Sequence, residues 1–444
     1  MACGWGRRRR VRVAGGALLA VSVLLGACGS KASAPPSTDA NTTPAAPNSS
    51  TTNPTRRPKT IHVPGDVATI QGAVDQTVPG DLVLVAAGTY NEAVTVHTPR
   101  IVVRGASRNR VILDGKDTAE NGITVAADGV AVENLTVRHF VVNGLIFTKA
   151  YESPDPSKPV ILKGYRASYI TAYNNGLYGI YAFFANGGVI EQSYASGHPD
   201  SGIYVGQCQP CDAVVRNVIA EKNAIGYEGT NAGGNLFVIN SVWRNNRVGM
   251  TPNSQDQERL APQADVVIAG NVVDSNNDPT APSTAQGAQG YGIAIGGGTH
   301  DRVVRNLVRR NASVGIAVTD LNGYQPSGNE VSGNVLDGNG TDLAYFDSTG
   351  AASIPSRSNC FTGNTFASSL PKNIESVMSC PGKPVETPTG ALAAQPSAPN
   401  VDYRNVAEPP VQPEMSNPDT SPAVPASGAP PSIDIASIGV PKAA

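Results

Sequence analysis

The sequence has little charge and few aromatic residues. Charged residues make up 15% of the 444-residue chain, aromatic residues make up 5%, and the formal net charge is −2. This composition argues against coiled coils, helical bundles and surfaces built on ion-pair networks. Long apolar runs are lacking after the N-terminal stretch, which excludes a polytopic membrane protein. Glycine and proline are abundant, at 47 and 35 residues, so we expect many turns and irregular segments.

The N-terminus has the features of an export signal. Five arginines between positions 7 and 12 precede the apolar stretch 13–25. The sequence Leu25-Gly-Ala-Cys28 resembles the bacterial lipobox, in which the cysteine is acylated and becomes the mature N-terminus. We therefore expect a signal peptide over 1–27 and a lipid anchor at Cys28 that holds the protein on the extracytoplasmic side of the cell membrane. An ordinary secretory signal is the alternative, and the arginines leave the export route open.

Removal of residues 1–27 would make the chain more acidic. The segment contains five arginines and no acidic residue, so the formal net charge would change from −2 to −7. Phosphate binding requires a basic face on the protein. We therefore expect no nucleic-acid partner.

Four cysteines follow the expected anchor. In an exported protein they are expected to form two disulfides, and sequence proximity suggests pairing Cys208 with Cys211 and Cys360 with Cys380. A Cys-x-x-Cys motif also occurs in zinc sites and in redox enzymes. The Cys208 motif has no second metal-binding motif and no adjacent strand and helix start, which disfavours both alternatives.

Low-complexity segments flank a repetitive body over 58–380. The tether 28–57 and the tail 381–444 contain few large apolar residues, so we expect both to be disordered. Within the body, successive units open with Asp or Asn, continue as an alternating apolar strand and reach an Asn-rich turn, at a spacing of roughly 23 residues. Such a repeat predicts a β-solenoid, with the short amphipathic helix 69–76 capping its open end.

This pattern resembles the right-handed parallel β-helix of the pectin-lyase-like superfamily, including NosD-like repeat proteins, over about residues 60–380. The resemblance implies an all-β solenoid. The Gln and Asp motifs of pectinesterases, the adjacent Asp pair of polygalacturonases and the Arg-x-Pro-x-x-Arg pattern of pectate lyases have no counterpart here. The resemblance therefore implies a fold without implying a reaction.

The alternation of side chains along the strands predicts a column of outward-facing residues that could bind a ligand. If Ile180, Ile203 and Tyr227 point inward, then Tyr181, Tyr204 and Glu228 face outward, and Phe183, Thr230 and Asn253 lie two positions further along their strands. Aromatic faces beside amide and acid groups suit the alternating apolar and hydroxyl faces of a sugar chain. We therefore expect Tyr181, Phe183, Tyr204, Thr230 and Asn253 to bind a polysaccharide or glycan.

Two insertions are expected to wall this column. They span 253–263 and 278–289, and insertions on one face of a solenoid commonly build its binding site. The alternative is that the fold merely tolerates both loops and that the aromatic residues pack beneath them as a satellite core.

Three residues are candidates for acid–base chemistry. His198 and Asp200 lie in the turn before Tyr204, and Glu228 follows one coil later. Together they would serve a lyase, an epimerase or a hydrolase, whereas solvated or strand-capping roles are the alternative. No cofactor or metal is expected, because calcium is not indicated and the dispersed methionines argue against copper.

These features predict a membrane-anchored envelope lipoprotein whose β-helix binds a polysaccharide or glycan. The sequence leaves open whether the protein also processes that glycan with the His198, Asp200 and Glu228 set. A third alternative is a non-catalytic scaffold that presents its C-terminal tail to a protein partner.

Overall fold

The computed structural model describes residues 57–256, 258–283, 287–349, 351–393, 399–420 and 432–442. The expected signal peptide, the lipidation site at Cys28 and nearly all of the tether lie outside the described residues. In the described part of the chain, no helix has the length and apolar character required to cross a membrane.

Short strands dominate the body. In chain order, the first strands are β1 (Thr60–Val63), β2 (Leu82–Val85), β3 (Gly88–Tyr90), β4 (Val94–Val96), β5 (Val102–Gly105), β6 (Val111–Asp114), β7 (Asn121–Val125), β8 (Val130–Arg138), β9 (Asn143–Phe147), β10 (Leu162–Tyr173), β11 (Tyr178–Phe183), β12 (Ala185–Glu191), β13 (Tyr194–Ser196), β14 (Ser201–Gly206), β15 (Ala213–Arg216), β16 (Ile219–Glu221) and β17 (Ile225–Thr230).

The remaining strands are β18 (Gly233–Ile239), β19 (Val242–Arg244), β20 (Val248–Asn253), β21 (Ala264–Ala269), β22 (Val272–Asp274), β23 (Tyr291–Gly296), β24 (Arg302–Val304), β25 (Leu307–Arg309), β26 (Val314–Thr319), β27 (Glu330–Ser332), β28 (Val335–Asp337), β29 (Thr341–Phe346), β30 (Ser353–Pro355), β31 (Cys360–Thr362), β32 (Ser369–Leu370) and β33 (Glu386–Pro388). The helices are α1 (Ile70–Val74) and α2 (Ile374–Val377), with single 3-10 turns at Ala150–Glu152, Tyr403–Asn405 and Ile435–Ser437.

Successive coils pair through parallel strands. One parallel sheet contains twenty of the described strands and a second contains eleven, whereas β30 and β33 form an antiparallel pair. In the second sheet, Ile180, Ile203 and Tyr227 are register partners, and all three side chains are fully buried. The expected inward column is therefore confirmed, because the two-residue period of a strand sends alternate side chains into the core.

A row of asparagines, all but the last of them buried, connects the turns of successive coils. The Nδ2 group of each donates to the Oδ1 atom of the next at 2.9 to 3.1 Å, in the order Asn223, Asn246, Asn276, Asn311 and Asn339. The residue before a ladder asparagine adopts the left-handed conformation, as at Lys222 (φ 57°) and Asn245 (φ 54°). The ladder satisfies amide groups that burial would otherwise leave without partners.

Helix α1 closes the N-terminal end of the core, as predicted. Ile70, Ala73 and Val74 are buried, and the Thr69 side chain accepts the Gly72 backbone N–H at 3.1 Å. The Glu92 carboxylate accepts the N–H groups of Ile70 and Gln71, both at 3.0 Å. The helix therefore covers an apolar end that would otherwise face water.

Both expected disulfides are present, joining Cys208 to Cys211 and Cys360 to Cys380. The second disulfide links β31 to the segment that follows α2.

The C-terminal tail differs from the expected disordered segment. Residues 399–420 run back along the body toward its early coils: Asn174 Nδ2 donates to Val406 O at 2.8 Å, and Glu414 accepts from Ser107 Oγ at 2.8 Å. Ile438 packs on an apolar patch formed by Val214, Ile239, Ala269 and Val304. The tail lacks apolar residues for a core of its own, but side chains of the body supply its partners.

Candidate functional site

The outward column has the predicted register. Tyr181 pairs with Tyr204, Tyr204 pairs with Glu228, and Thr230 pairs with Asn253 on neighbouring strands. The column is nevertheless covered, because only 2% of Tyr204 and 1% of Glu228 is exposed. Facing outward from the solenoid core therefore does not place these side chains in solvent.

The aromatic residues of the column pack against one another and against the neighbouring Tyr178. The rings of Tyr178 and Tyr181 are nearly parallel, with centroids 4.4 Å apart, and the Tyr181 ring lies 4.7 Å from that of Tyr204. Phe183 extends the stack at 5.4 Å from Tyr181. These rings form a second apolar cluster with Ile146, so the satellite-core alternative describes the inner part of the column.

The loop 253–263 closes over the column. Asn231 Nδ2 donates to the carbonyl oxygens of Gln255 and Arg259, each at 2.9 Å, and Asn322 Nδ2 donates to Gln255 Oε1 at 2.6 Å. Gln209 Nε2 donates to Leu260 O at 2.8 Å. The expected wall is therefore a cover, held by side chains of the neighbouring coils.

The second insertion covers a different part of the same sheet. Arg247 donates from Nη2 to Ala281 O at 2.8 Å and from Nη1 to Gln289 Oε1 at 3.0 Å. Ala288 packs on Ile225 and Val248, at the beginning of β17 and β20. This loop therefore lies over the opposite ends of the strands from Thr230 and Asn253.

The column opens to the surface at Phe183. A pocket of about 290 Å³ is lined there by Tyr151, Phe183, Phe184 and Arg259, among others. The Tyr151 ring, 73% exposed, lies 6.5 Å from that of Phe183 at an interplanar angle of 27°. The exposed Tyr151 ring and the partly buried Phe183 ring offer a sugar an apolar surface.

Asp200 and Glu228 form a buried acid pair. Ser201 Oγ lies 2.9 Å from Asp200 Oδ1 and 2.8 Å from Glu228 Oε2. Burial, followed by the charge of Glu228, raises the pKa of Asp200 well above its ordinary value. Burial beside a second carboxyl group therefore favours the protonated form of Asp200, as expected when like charges share a dry site. The structure therefore brings these two candidate residues together, and their catalytic role stays a prediction.

A third carboxylate lies near the pair. Gln207 Nε2 donates to Glu258 Oε2 at 2.5 Å, and Asn253 Nδ2 donates to Glu228 Oε1 at 3.1 Å. Desolvation of the carboxyl group, followed by the charge of Glu228, raises the pKa of Glu258 to about 7. Desolvation, followed by the charge of Glu258, raises the pKa of Tyr151, so the exposed residue Glu258 lies within electrostatic range of both Glu228 and a residue that lines the pocket.

His198 does not join the carboxylates. It occupies a turn of the asparagine ladder, where its Nδ1 donates to Asn223 Oδ1 at 2.7 Å and its Nε2 accepts from Asn175 Nδ2 at 3.2 Å. Burial lowers its pKa to about 4, so the ring is neutral and both nitrogens have partners. The structure therefore gives this histidine a turn-stabilising position, which differs from the expected acid–base role.

The sequence interpretation missed Tyr151, Gln207 and Glu258. Glu258 lies inside the insertion 253–263, which was expected to line the site, so the sequence could have identified it as a candidate. Tyr151 belongs to the segment between β9 and β10, which lengthens one coil, and Gln207 directly follows β14. Within the described ranges, no group of three or more His, Cys, Asp or Glu residues is arranged to hold a metal ion.

Residues 163–336 match a family model described as the right handed beta helix region. No match was found among curated proteins. Similar solved structures include the Azotobacter vinelandii mannuronan C-5 epimerase AlgE4 A-module, 15% identical, covering 68% of this chain and 92% of that chain with a TM-score of 0.44. Pectate lyase Pel9A is 14% identical, and the match covers 78% of this chain and 96% of that chain with a TM-score of 0.43. Tailspike protein 2 from Escherichia coli O157:H7 bacteriophage CAB120 is 12% identical, and the match covers 66% of this chain and 40% of that chain with a TM-score of 0.47. The parallel register of successive coils shows a parallel β-helix, and the family model that matches residues 163–336 describes a right-handed one.

Proposed function

We propose that this chain is an exported lipoprotein, anchored through Cys28, whose β-helix binds a polysaccharide or glycan of the cell envelope. The observation that carries the proposal is the pocket at Phe183, where the Tyr151 and Phe183 rings face each other and Tyr151 lies within electrostatic range of the Glu258 carboxylate. A sugar ring presents apolar C–H faces and hydroxyl edges. Tyr151 and Phe183 suit the faces, and Glu258 suits the hydroxyl groups as an acceptor.

The binding test uses the exported chain carrying Cys28→Ser, which removes the proposed lipid site. Neutral and acidic envelope oligosaccharides would be titrated by calorimetry, with product release followed in parallel. We expect Tyr151→Ala and Phe183→Ala each to weaken binding about tenfold, because each removes a stacking surface. The matched control is Tyr90→Ala, a partly buried tyrosine in β3. Equal affinities of all four proteins for every bound sugar would place the site elsewhere.

Glycan processing is the second candidate function, and the two buried carboxyl groups of Asp200 and Glu228, which both contact Ser201 Oγ, favour it. The same titrations separate the two functions. For an enzyme, Glu228→Gln abolishes product release and leaves binding at the aromatic pocket largely intact. A binding module releases no product in any form. The scaffold alternative loses support, because the described parts of the tail are bound to the body.

The proposed anchor has a separate test. Lipid attachment at Cys28 predicts that the native chain incorporates labelled palmitate and sediments with membranes. The Cys28→Ser chain should lose the label and appear in the soluble extracytoplasmic fraction. Unchanged sedimentation of the variant would contradict anchoring through this residue.

A further inference from the structure

We propose that the glycan bound at this site carries positively charged amino sugars. The inference rests on the proposed glycan function and specifies the chemistry of its ligand. Its basis is a polar region in which two buried amides donate to carboxylates, while their oxygens lack hydrogen-bond donors. A protonated amine supplies three donors, one positive charge and no acceptor, which matches this arrangement.

Two buried amide side chains show what the site lacks. Asn253 and Gln207 are each 1% exposed, and each donates its NH2 group to a carboxylate, namely Glu228 and Glu258. These contacts fix the amide orientations, because a flipped amide would direct its oxygen at a carboxylate. Asn253 Oδ1 and Gln207 Oε1 are left buried without a partner within the described structure. Buried acceptors without donors are costly, so this region favours a ligand that donates.

The charges around these oxygens are predominantly negative. Asp200, Glu228 and Glu258 interact electrostatically, and the tyrosines facing them, Tyr151, Tyr178, Tyr181 and Tyr204, are uncharged near neutral pH. Arg259 lines the aromatic pocket, where its guanidinium donates to Ser157 O. Hydrogen bonds to the three carboxylates come from Ser, Thr, Asn and Gln side chains, with none from a described lysine or arginine.

This charge pattern separates glycan classes. A uronic acid would place its carboxylate beside at least one ionised carboxylate of the site, and an N-acetylated sugar would bring a neutral amide. A free amino sugar stacks its ring on Tyr151 or Phe183 and directs its ammonium group toward Glu258. The ammonium would then lie beside these aromatic rings and the Glu258 carboxylate.

The carboxylates also give this interaction a proton signature. An ammonium group favours the charged form of a nearby carboxyl group and lowers its pKa. Because the pKa of free Glu258 is raised to about 7, amino-sugar binding should release protons near neutral pH. A neutral sugar stacked on the same aromatic residues would leave the proton count nearly unchanged.

The experiment compares three oligosaccharides of equal length on the full exported Cys28→Ser chain. The probes are oligomers of glucosamine, N-acetylglucosamine and galacturonate, titrated by calorimetry at about pH 6 in buffers of different ionisation enthalpy. We expect glucosamine oligomers to bind at least tenfold more tightly than either of the others, with proton release. Salt should weaken this preference, because it screens the attraction between the charges.

Variants locate the effect. Glu258→Gln should weaken glucosamine-oligomer binding about tenfold and reduce proton release, while Phe183→Ala should weaken binding of every sugar. The matched control is Glu386→Gln, an exposed acid in β33. Equal losses in the Glu258 and Glu386 variants would overturn the proposed ammonium contact.

The outcomes distinguish this inference from the broader function. If N-acetylglucosamine or galacturonate oligomers bind as tightly as glucosamine oligomers and depend on Phe183, the glycan function stands and the amino-sugar inference fails. If linear spermidine binds as tightly as the glucosamine oligomers, the site recognises amines without a sugar ring. If no oligosaccharide binds, the glycan function fails as well.

Discussion

At the residue scale, Asp301 is a buried carboxyl group at the beginning of one coil. Gln263 Nε2 donates to Asp301 Oδ1 at 2.8 Å, whereas the buried atoms Asp301 Oδ2 and Gln263 Oε1 have no hydrogen-bond partner within the described residues. A Cβ added at Gly298 would collide with both oxygens, so they converge on one place. Burial raises the pKa of Asp301 to about 7. A protonated Asp301 donates to Gln263 Oε1 and completes a two-bond acid–amide pair.

This pair predicts a pH dependence that one substitution removes. Since the folded pKa of Asp301 is raised from 3.8 to about 7, its contribution to stability is full below about pH 4 and is lost as the pH rises through 7. Asp301→Asn preserves both hydrogen bonds and removes the titration. Thermal melts from pH 4 to 8 should therefore show a flatter profile for the variant, with a difference of roughly 4 kcal/mol at most. Parallel profiles for the two proteins would show that Asp301 is ionised throughout this range.

At the element scale, the alternation of side chains along each strand correctly predicted which residues share the outward column. Tyr181, Tyr204 and Glu228 occupy one outward column because side chains alternate along every strand and coils stack in register. The same regularity did not reveal solvent exposure. The column is covered by a loop whose contact between Gln207 and Glu258 spans 51 residues and follows no period. Periodicity therefore predicted the scaffold of the site but not its cover.

The turns show a second limit of sequence interpretation. His198 two residues before Asp200 suggested acid–base chemistry, but a coil turn directs its ring between Asn175 and Asn223. Asn223 continues into the ladder through Asn246, so His198 replaces an asparagine in a stacked row. This role was accessible from the repeat, since His198 occupies the turn position that Asn223 occupies one coil later. Histidine is a common acid–base residue, and this led the prediction to assign chemistry to a side chain that stabilises a turn.

At the scale of the whole molecule, the tail braces coils that are far apart in sequence. Arg247 donates to Pro399 O at 2.8 Å, whereas Arg108 donates to Pro413 O at 3.1 Å. Both arginines are almost completely buried. Composition predicted disorder because it measures the capacity of a segment to bury itself. The composition of the tail contains no information about buried arginines elsewhere in the chain, which donate hydrogen bonds to the carbonyl groups of the tail.

Glu414 attaches the tail to the body through several hydrogen bonds, so its substitution tests this attachment directly. It accepts from Arg108 N at 2.6 Å and from Asn109 Nδ2 and Ser107 Oγ, each at 2.8 Å. Burial would raise the pKa of Glu414, but these hydrogen bonds outweigh it and lower the pKa. The contribution to docking is therefore present above the ordinary pKa of glutamate and is lost as the pH falls through the lowered value.

We expect Glu414→Ala to release the tail, because the substitution leaves buried donors without their acceptor at a cost of about 1 to 3 kcal/mol. Limited proteolysis should cleave the segment 399–420 of the variant faster than that of the unmodified chain, and the unmodified chain should approach the variant as the pH is lowered. Val411→Ala is the matched control, since Val411 is 86% exposed and its truncation removes little packing. Equal cleavage rates of the Glu414 and Val411 variants would mean that the Glu414 contacts do not hold the tail. The body would then keep its coils together without this brace.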